Sequence, residues 1–97
     1  MVIRDNIKST LKVTILHASG LHAYPAALFV QTAKKFTSDV KVQNLTRGSS
    51  LVNAKSILSV MTLGVTQNHE IQIDAEGEDT EEAISALEAL IQANFGE

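Results

Sequence analysis

The sequence predicts an α+β domain in which three helices pack on one face of a mostly antiparallel four-stranded sheet, in the order β-α-β-β-α-β-α, with the other face wet. Strand segments alternate apolar and polar residues with period two, and three further segments each own a stripe of apolar residues at helical spacing. Glycine, proline, serine and aspartate punctuate the boundaries between them. The 97 residues read as one small domain, 1–97, large enough to close a modest core without staples.

Residues 1–9 show no clear period and read as a loosely ordered N-terminal extension. From Leu11 the pattern is strict: Leu11, Val13 and Ile15 face one way, Lys12 and Thr14 the other, which predicts a half-buried strand. After a turn at 17–20, the first helix is expected from Ala23 or Tyr24 to Lys35. Pro25 suits a first helical turn, and Ala26, Phe29, Val30, Ala33 and Phe36 share a core face. Leu28 falls off that face and is expected to be partly exposed. A break at 37–39 leads to a second strand over 40–43, a hairpin connection over 44–49 and a short third strand over 50–53.

Ser56 is placed to cap a second helix that Gly64 stops, with about two turns between them. Ile57, Leu58, Val60, Met61 and Leu63 cover nearly its whole circumference. A helix this short is expected to leave some of that apolar surface for a partner, although an all-core arrangement fits the spacing too. In the fourth strand Ile71, Ile73 and Ala75 point inward against Gln72, Asp74 and Glu76. Asp79 with Glu82 resembles an acidic capping box, and the last helix carries Ala83, Ile84, Leu87, Leu90 and Ile91 on one stripe, ending near Gly96.

Composition removes several classes of function. There is no cysteine, so neither a disulfide scaffold nor a thiolate metal site is available, and a reducing compartment fits. No apolar run approaches a membrane span and the start lacks a signal-peptide core, so a cytoplasmic protein without membrane contact is expected. A formal charge of −3, scattered Lys and Arg and few aromatic residues argue against a nucleic-acid partner. His17, His22 and His69 lack the spacing of a metal site, and there is no Walker loop, dinucleotide fingerprint or nucleophile elbow, so neither metal nor cofactor is expected. His69, in a turn, reads as solvated.

What remains is one histidine and one serine at helix starts. Pro25 puts His22 at the mouth of the first helix, where backbone N–H groups without intrahelical partners and the helix dipole form a site for an anion. The positive end of a helix favours neutral imidazole, whose lone pair is free to attack, and the same N–H groups can hold a phosphoryl group on the ring. His22 is thus a candidate phosphoryl acceptor; from spacing alone, a loop histidine without a task is the weightier reading.

The segments Gly20-Leu21-His22-Ala23-Tyr24-Pro25-Ala26 and Asn53-Ala54-Lys55-Ser56-Ile57, the latter continuing to Met61-Thr62-Leu63-Gly64, closely resemble the HPr family, the histidine-containing phosphocarriers of the bacterial phosphoenolpyruvate-dependent sugar phosphotransferase system. The resemblance runs from about Leu11 to Ile91. It implies an open-faced sandwich of three helices on a four-stranded antiparallel sheet, working as a carrier with a transient phosphohistidine rather than as a self-contained enzyme. By that resemblance His22 takes a phosphoryl group from enzyme I and passes it to EIIA, with Ser19 and Ala23 stabilising it. Ser56 matches a position that a regulatory kinase phosphorylates in some members, and Ala27, Leu28, Ile57, Leu58 and Met61 match the docking patch for both partners. A serine kinase/phosphorylase and a transcriptional regulator are further implied partners, and a monomer suffices.

One position departs from the family pattern. Its histidine motif usually reads G-L-H-A-R-P-A, and this chain has Tyr24 where the arginine belongs. A tyrosine hydroxyl offers one neutral donor in place of a bidentate, charge-assisted pair, with a loss of roughly 1.5 to 3 kcal/mol per charged hydrogen bond. Three readings follow: a carrier that tolerates Tyr24, a regulatory paralogue with transfer weak or lost, and a variant serving another phosphorelay such as a nitrogen-linked branch or a dihydroxyacetone kinase.

Overall fold

The structure, a computed structural model, describes residues 7–97. The elements follow the expected order: β1 (Ile7–Thr14), α1 (Ala23–Ala33), β2 (Asp39–Asn44), β3 (Val52–Asn53), α2 (Ile57–Thr62), β4 (Glu70–Gly77) and α3 (Thr80–Gln92), then a 3-10 turn at Asn94–Gly96. The strands make one antiparallel sheet in the order β1-β4-β2-β3. The alternation explains the layering. Val40 and Val42 of β2, with Ile71, Ile73 and Ala75 of β4, turn inward to meet Phe29, Val30 and Ala33 of α1, Val60 of α2, and Ala83, Leu87 and Ile91 of α3 in one buried core. Together these elements form the α+β open-faced sandwich.

The expected extension at 1–9 is corrected in part. Residues 7–9 belong to β1, with Ile7 opposite Gly77, Lys8 opposite Glu76 and Ser9 opposite Ala75; residues 1–6 lie outside the described residues. The missed signal is that Lys8 and Thr10 on the open face and a bonded Ser9 on the helix face offer no apolar alternation to read. Ser9 Oγ donates to Thr80 Oγ1 at 3.1 Å, a polar contact where apolar packing is the usual pattern. Asp74 also differs: on the open face it is nearly buried, because Thr10 Oγ1 and Gln72 Nε2 both donate to its Oδ1 at 3.0 Å and Lys8 stands 3.8 Å from Oδ2. The third strand is shorter than expected, Val52–Asn53 only.

Asp79 occupies the N-cap of α3 but makes no capping bond, so the predicted capping box does not form. Its carboxylate reaches instead to the turn after α1, accepting the N–H groups of Thr37 and Ser38 at 2.9 Å and the Ser38 hydroxyl, while its own N–H donates back to Ser38 Oγ at 3.2 Å. The Ser38 hydroxyl, then the Thr37 N–H, hold this carboxyl down at about 2, below its ordinary 3.8. A lowered folded-state value means the stabilisation is complete above the unfolded value and fades as the folded group is protonated. The stability difference between wild type and Asp79→Asn is therefore expected to shrink as pH falls from 3.8 towards 2. Denaturant midpoints of both proteins across that window check it; a difference that does not change with pH would remove the link.

The last helix ends at Gln92, earlier than expected. Phe95, at φ 56°, turns the chain back and buries its ring against His17, edge to face with centroids 5.8 Å apart.

Candidate functional site

Strand register brings three chain segments to one end of the sheet. Thr14 ends β1 opposite Glu70, the first residue of β4, and Asn44 ends β2 opposite Ile71. The loop that leaves β1 there is pinned residue by residue. Ile15 N–H donates to the His69 carbonyl at 2.9 Å, Gly20 N–H to the His17 carbonyl at 2.9 Å, and Leu21 N–H to the Val65 carbonyl at 3.1 Å. Leu21 is fully buried, so the chain is anchored immediately before it surfaces at His22.

His22 is exposed at the N-cap of α1 with an extended backbone (φ −125°, ψ 160°), and its ring makes no capping bond. Ala23 follows at φ 50°, a left-handed value that an L-residue rarely adopts. Such a conformation costs on the order of 1 to 3 kcal/mol and persists where its surroundings over-determine it. The Leu21 anchor on one side and Pro25, buried with its φ restricted, on the other supply that constraint. Among the described residues, no loop or cap bond takes the N–H groups of Ala23 and Tyr24. They remain as first-turn donors beside the imidazole.

The other predicted residues divide by position. Ser19 is exposed in the same loop, but its N–H is engaged by His17 Nδ1 at 3.0 Å, which leaves its hydroxyl as the group free to act. Tyr24 is exposed (55%) on the first turn of α1. Ala27 and Leu28 are half-buried on α1, and α1 packs beside α2. On α2, Ile57 (46% exposed) and Leu58 (73%) project into water while Met61 is half-buried. The apolar residues assigned to a docking patch thus lie on two adjoining helices. Ser56 caps α2 as expected, its hydroxyl accepting the Ser59 N–H at 3.3 Å.

Asn44 and His69, both expected in turns, organise this end. Asn44, fully buried, donates through Nδ2 to the Leu63 carbonyl at 3.2 Å and accepts the Arg47 N–H at 3.2 Å, tying the 44–49 hairpin to the end of α2. His69 is not simply solvated: it is half-buried, its Nδ1 3.1 Å from Asn44 Nδ2 and accepting the Thr66 N–H at 3.2 Å. His17 is buried too, with Nε2 against Glu97 Oε1 and Nδ1 accepting from Ser19. No local pattern marks either role, because the contacts that tie each ring to the rest of the fold, His17 to Glu97 and His69 to Asn44, lie far along the chain.

An open groove of about 550 Å³ lies elsewhere, between Val13, Thr14 and Leu16 after β1 and Ile91, Gln92 and Asn94 at the end of α3. Among the described residues no group of three His, Cys, Asp or Glu side chains converges on a metal position, and no helix is long and apolar enough to cross a membrane.

Comparison with known proteins follows the same lines. A family model described as the PTS HPr component phosphorylation site matches residues 9–93. The chain is 49% identical over 84 residues to a multiphosphoryl transfer protein of Haemophilus influenzae, covering 87% of this chain but 17% of that protein. It is 46% identical over 81 residues to the HPr-like protein Crh of Bacillus subtilis, covering 84% of this chain and 92% of Crh. Among solved structures, HPr-C-His from Thermoanaerobacter tengcongensis superposes with a TM-score of 0.87 at 49% identity, over 92% of this chain and 97% of that one.

Proposed function

From the premise that this chain belongs to the HPr family of the phosphotransferase system, we propose that it accepts a phosphoryl group on His22 from enzyme I and passes it to an EIIA-type component of a sugar phosphotransferase system, in the cytoplasm. The observation that carries this reading is the exposed, unbonded His22 ring at the N-cap of α1, directly before two first-turn amides. A ring nitrogen attacks phosphorus as the donor's bond to phosphorus breaks, and the same exchange runs onward to the acceptor. The arriving group meets the Ala23 and Tyr24 N–H dipoles already in place, so little reorganisation accompanies the gain of charge. Exposure of the ring on both sides of transfer is what a shuttle needs. The chain spans 17% and 22% of the first two relatives it matches, so the partners named here are part of the proposal.

Incubation with phosphoenolpyruvate and enzyme I tests it. Rapid formation of an acid-labile, alkali-stable phosphate supports the carrier, and no label under conditions where an ordinary HPr reacts removes it. Tyr24 favours one other reading, a regulatory paralogue that docks partners with transfer weakened, since a neutral side chain stands on the first turn of α1.

In the same proposal, Ala27, Leu28, Ile57, Leu58 and Met61 dock enzyme I and EIIA, and Ser56 is the site at which a serine kinase/phosphorylase regulates docking or recruits a transcriptional regulator. Aspartate caps a helix about as well as serine, so Ser56→Asp keeps α2 while setting a charge beside exposed Ile57 and Leu58. Its affinity for enzyme I is expected to fall roughly tenfold, equivalent to about 1.4 kcal/mol. Calorimetric titration checks this, and an unaltered affinity would strike Ser56 from the regulatory scheme.

A further inference from the structure

We propose that Arg47, at the tip of the β2–β3 hairpin, supplies the cation for the phosphoryl group on His22, an assignment that rests on His22 being the acceptor. A phosphoryl group brings a charge of about −1.5 to −2, whereas the end of a helix offers the equivalent of roughly +0.5. Tyr24, the exposed side chain on that first turn, adds none. A cation must come from elsewhere in the fold if the charge is to be met.

The placement of the basic residues leaves one candidate among the described residues. Lys8, Lys12 and Lys41 alternate onto the open face of the sheet, and Lys8 is paired with Asp74. Lys34 and Lys35 follow the far end of α1. Lys55 Nζ donates to the Phe36 carbonyl at 2.7 Å, also beyond that far end; the eleven residues of α1 separate it from His22 by about 16 Å of helix. Arg47 alone stands at the His22 end. Its N–H is held by Asn44, and its guanidinium lies against Gly64, where an added Cβ would come 2.6 Å from Nη1.

Gly64 leads directly to the site. The next residue, Val65, accepts the Leu21 N–H at 3.1 Å, and Leu21 precedes His22. Two residue steps and one hydrogen bond join Gly64 to His22, a path on the order of 10 Å, a span within the combined reach of a long arginine stem and a phosphorylated imidazole. Among the described residues Arg47 has no carboxylate partner, so its charge is uncommitted. Gly64 matters because it has no Cβ: the guanidinium occupies the space a side chain would fill.

Inorganic phosphate titrated against the isotope-labelled chain, followed through the Ala23 and Tyr24 amide shifts, reads this assignment without enzyme I. Arg47→Ala is expected to weaken phosphate binding about tenfold and to flatten its salt dependence. Arg47→Lys keeps the charge but not the fork and is expected to fall between. Adding Tyr24→Arg to Arg47→Ala is expected to restore affinity, because it returns a guanidinium to the exposed first turn of α1; a merely structural role for Arg47 would lower the melting temperature and show no such rescue. Equal affinity in wild type and Arg47→Ala, whether both bind or neither does, overturns the assignment. An Arg47-dependent titration in a protein that enzyme I fails to label supports the anion site while removing the carrier reading.

Discussion

His22→Ala is expected to abolish phosphoenolpyruvate-dependent labelling completely while leaving the melting curve within a few degrees of wild type. Both halves follow from the same feature. The ring is exposed and makes no capping bond, so the roughly 1 kcal/mol usually lost when a capping side chain becomes alanine is not at stake. Neither of the other two histidines can take over. His17 is buried with both ring nitrogens engaged, by the Ser19 N–H and by Glu97, and the His69 ring is bonded to Asn44 and Thr66. His22→Gln preserves the polar shape without the nucleophile and is expected to fail in the same way. Label that survives either substitution, mapped to another residue, would move the acceptor and dissolve the site around α1.

Gly20→Ala is expected to be the most destabilising of the conservative substitutions, lowering stability by about 3 to 5 kcal/mol. Three contributions add. At φ 60° an L-residue is strained, by roughly 1 to 2 kcal/mol. The new Cβ would stand 2.1 Å from the Val65 carbonyl oxygen and 2.7 Å from Thr66 Cα, backbone atoms that cannot swing aside. Relieving that clash pushes the loop from Val65 and breaks the Leu21 bond to the same oxygen. For a domain near this size the loss corresponds to a melting temperature lower by roughly 15 to 30 °C. Gly48→Ala is the control, since it shares the left-handed φ but meets nothing within 4 Å, so only strain acts. Thermal melts of the two that coincide would mean that close approach at Gly20 contributes nothing.

Much of this was legible along the chain because it depends on neighbours a few residues apart. Alternation located the strands, the Pro25 and Ser56 positions located two helix starts, and Gly64 a helix end. The surplus of apolar residues on so short an α2 anticipated exposed Ile57 and Leu58. Errors fell where a side chain chose a distant partner over a local one. Asp79 has the spacing of a cap, yet two amides and a hydroxyl at 37–38 offer its carboxylate more bonds than its own helix does. The first residues of β1 lacked a period because strand pairing is a matter of backbone bonds to β4, which no alternation need announce.

By itself, then, the sequence determined the element order, the layered architecture, and which histidine stands at a helix mouth, since propensity and periodicity act over one or two turns of chain. Only the tertiary structure decided what surrounds that histidine. Strand register puts the ends of β1 and β2 and the start of β4 side by side, and buried Asn44 carries the hairpin with Arg47 over to Gly64. The strand pairings and the contacts to Leu63 and Gly64 join residues seventeen or more positions apart, and they form because a buried polar side chain or a free carbonyl takes whichever partner the packed core brings within reach.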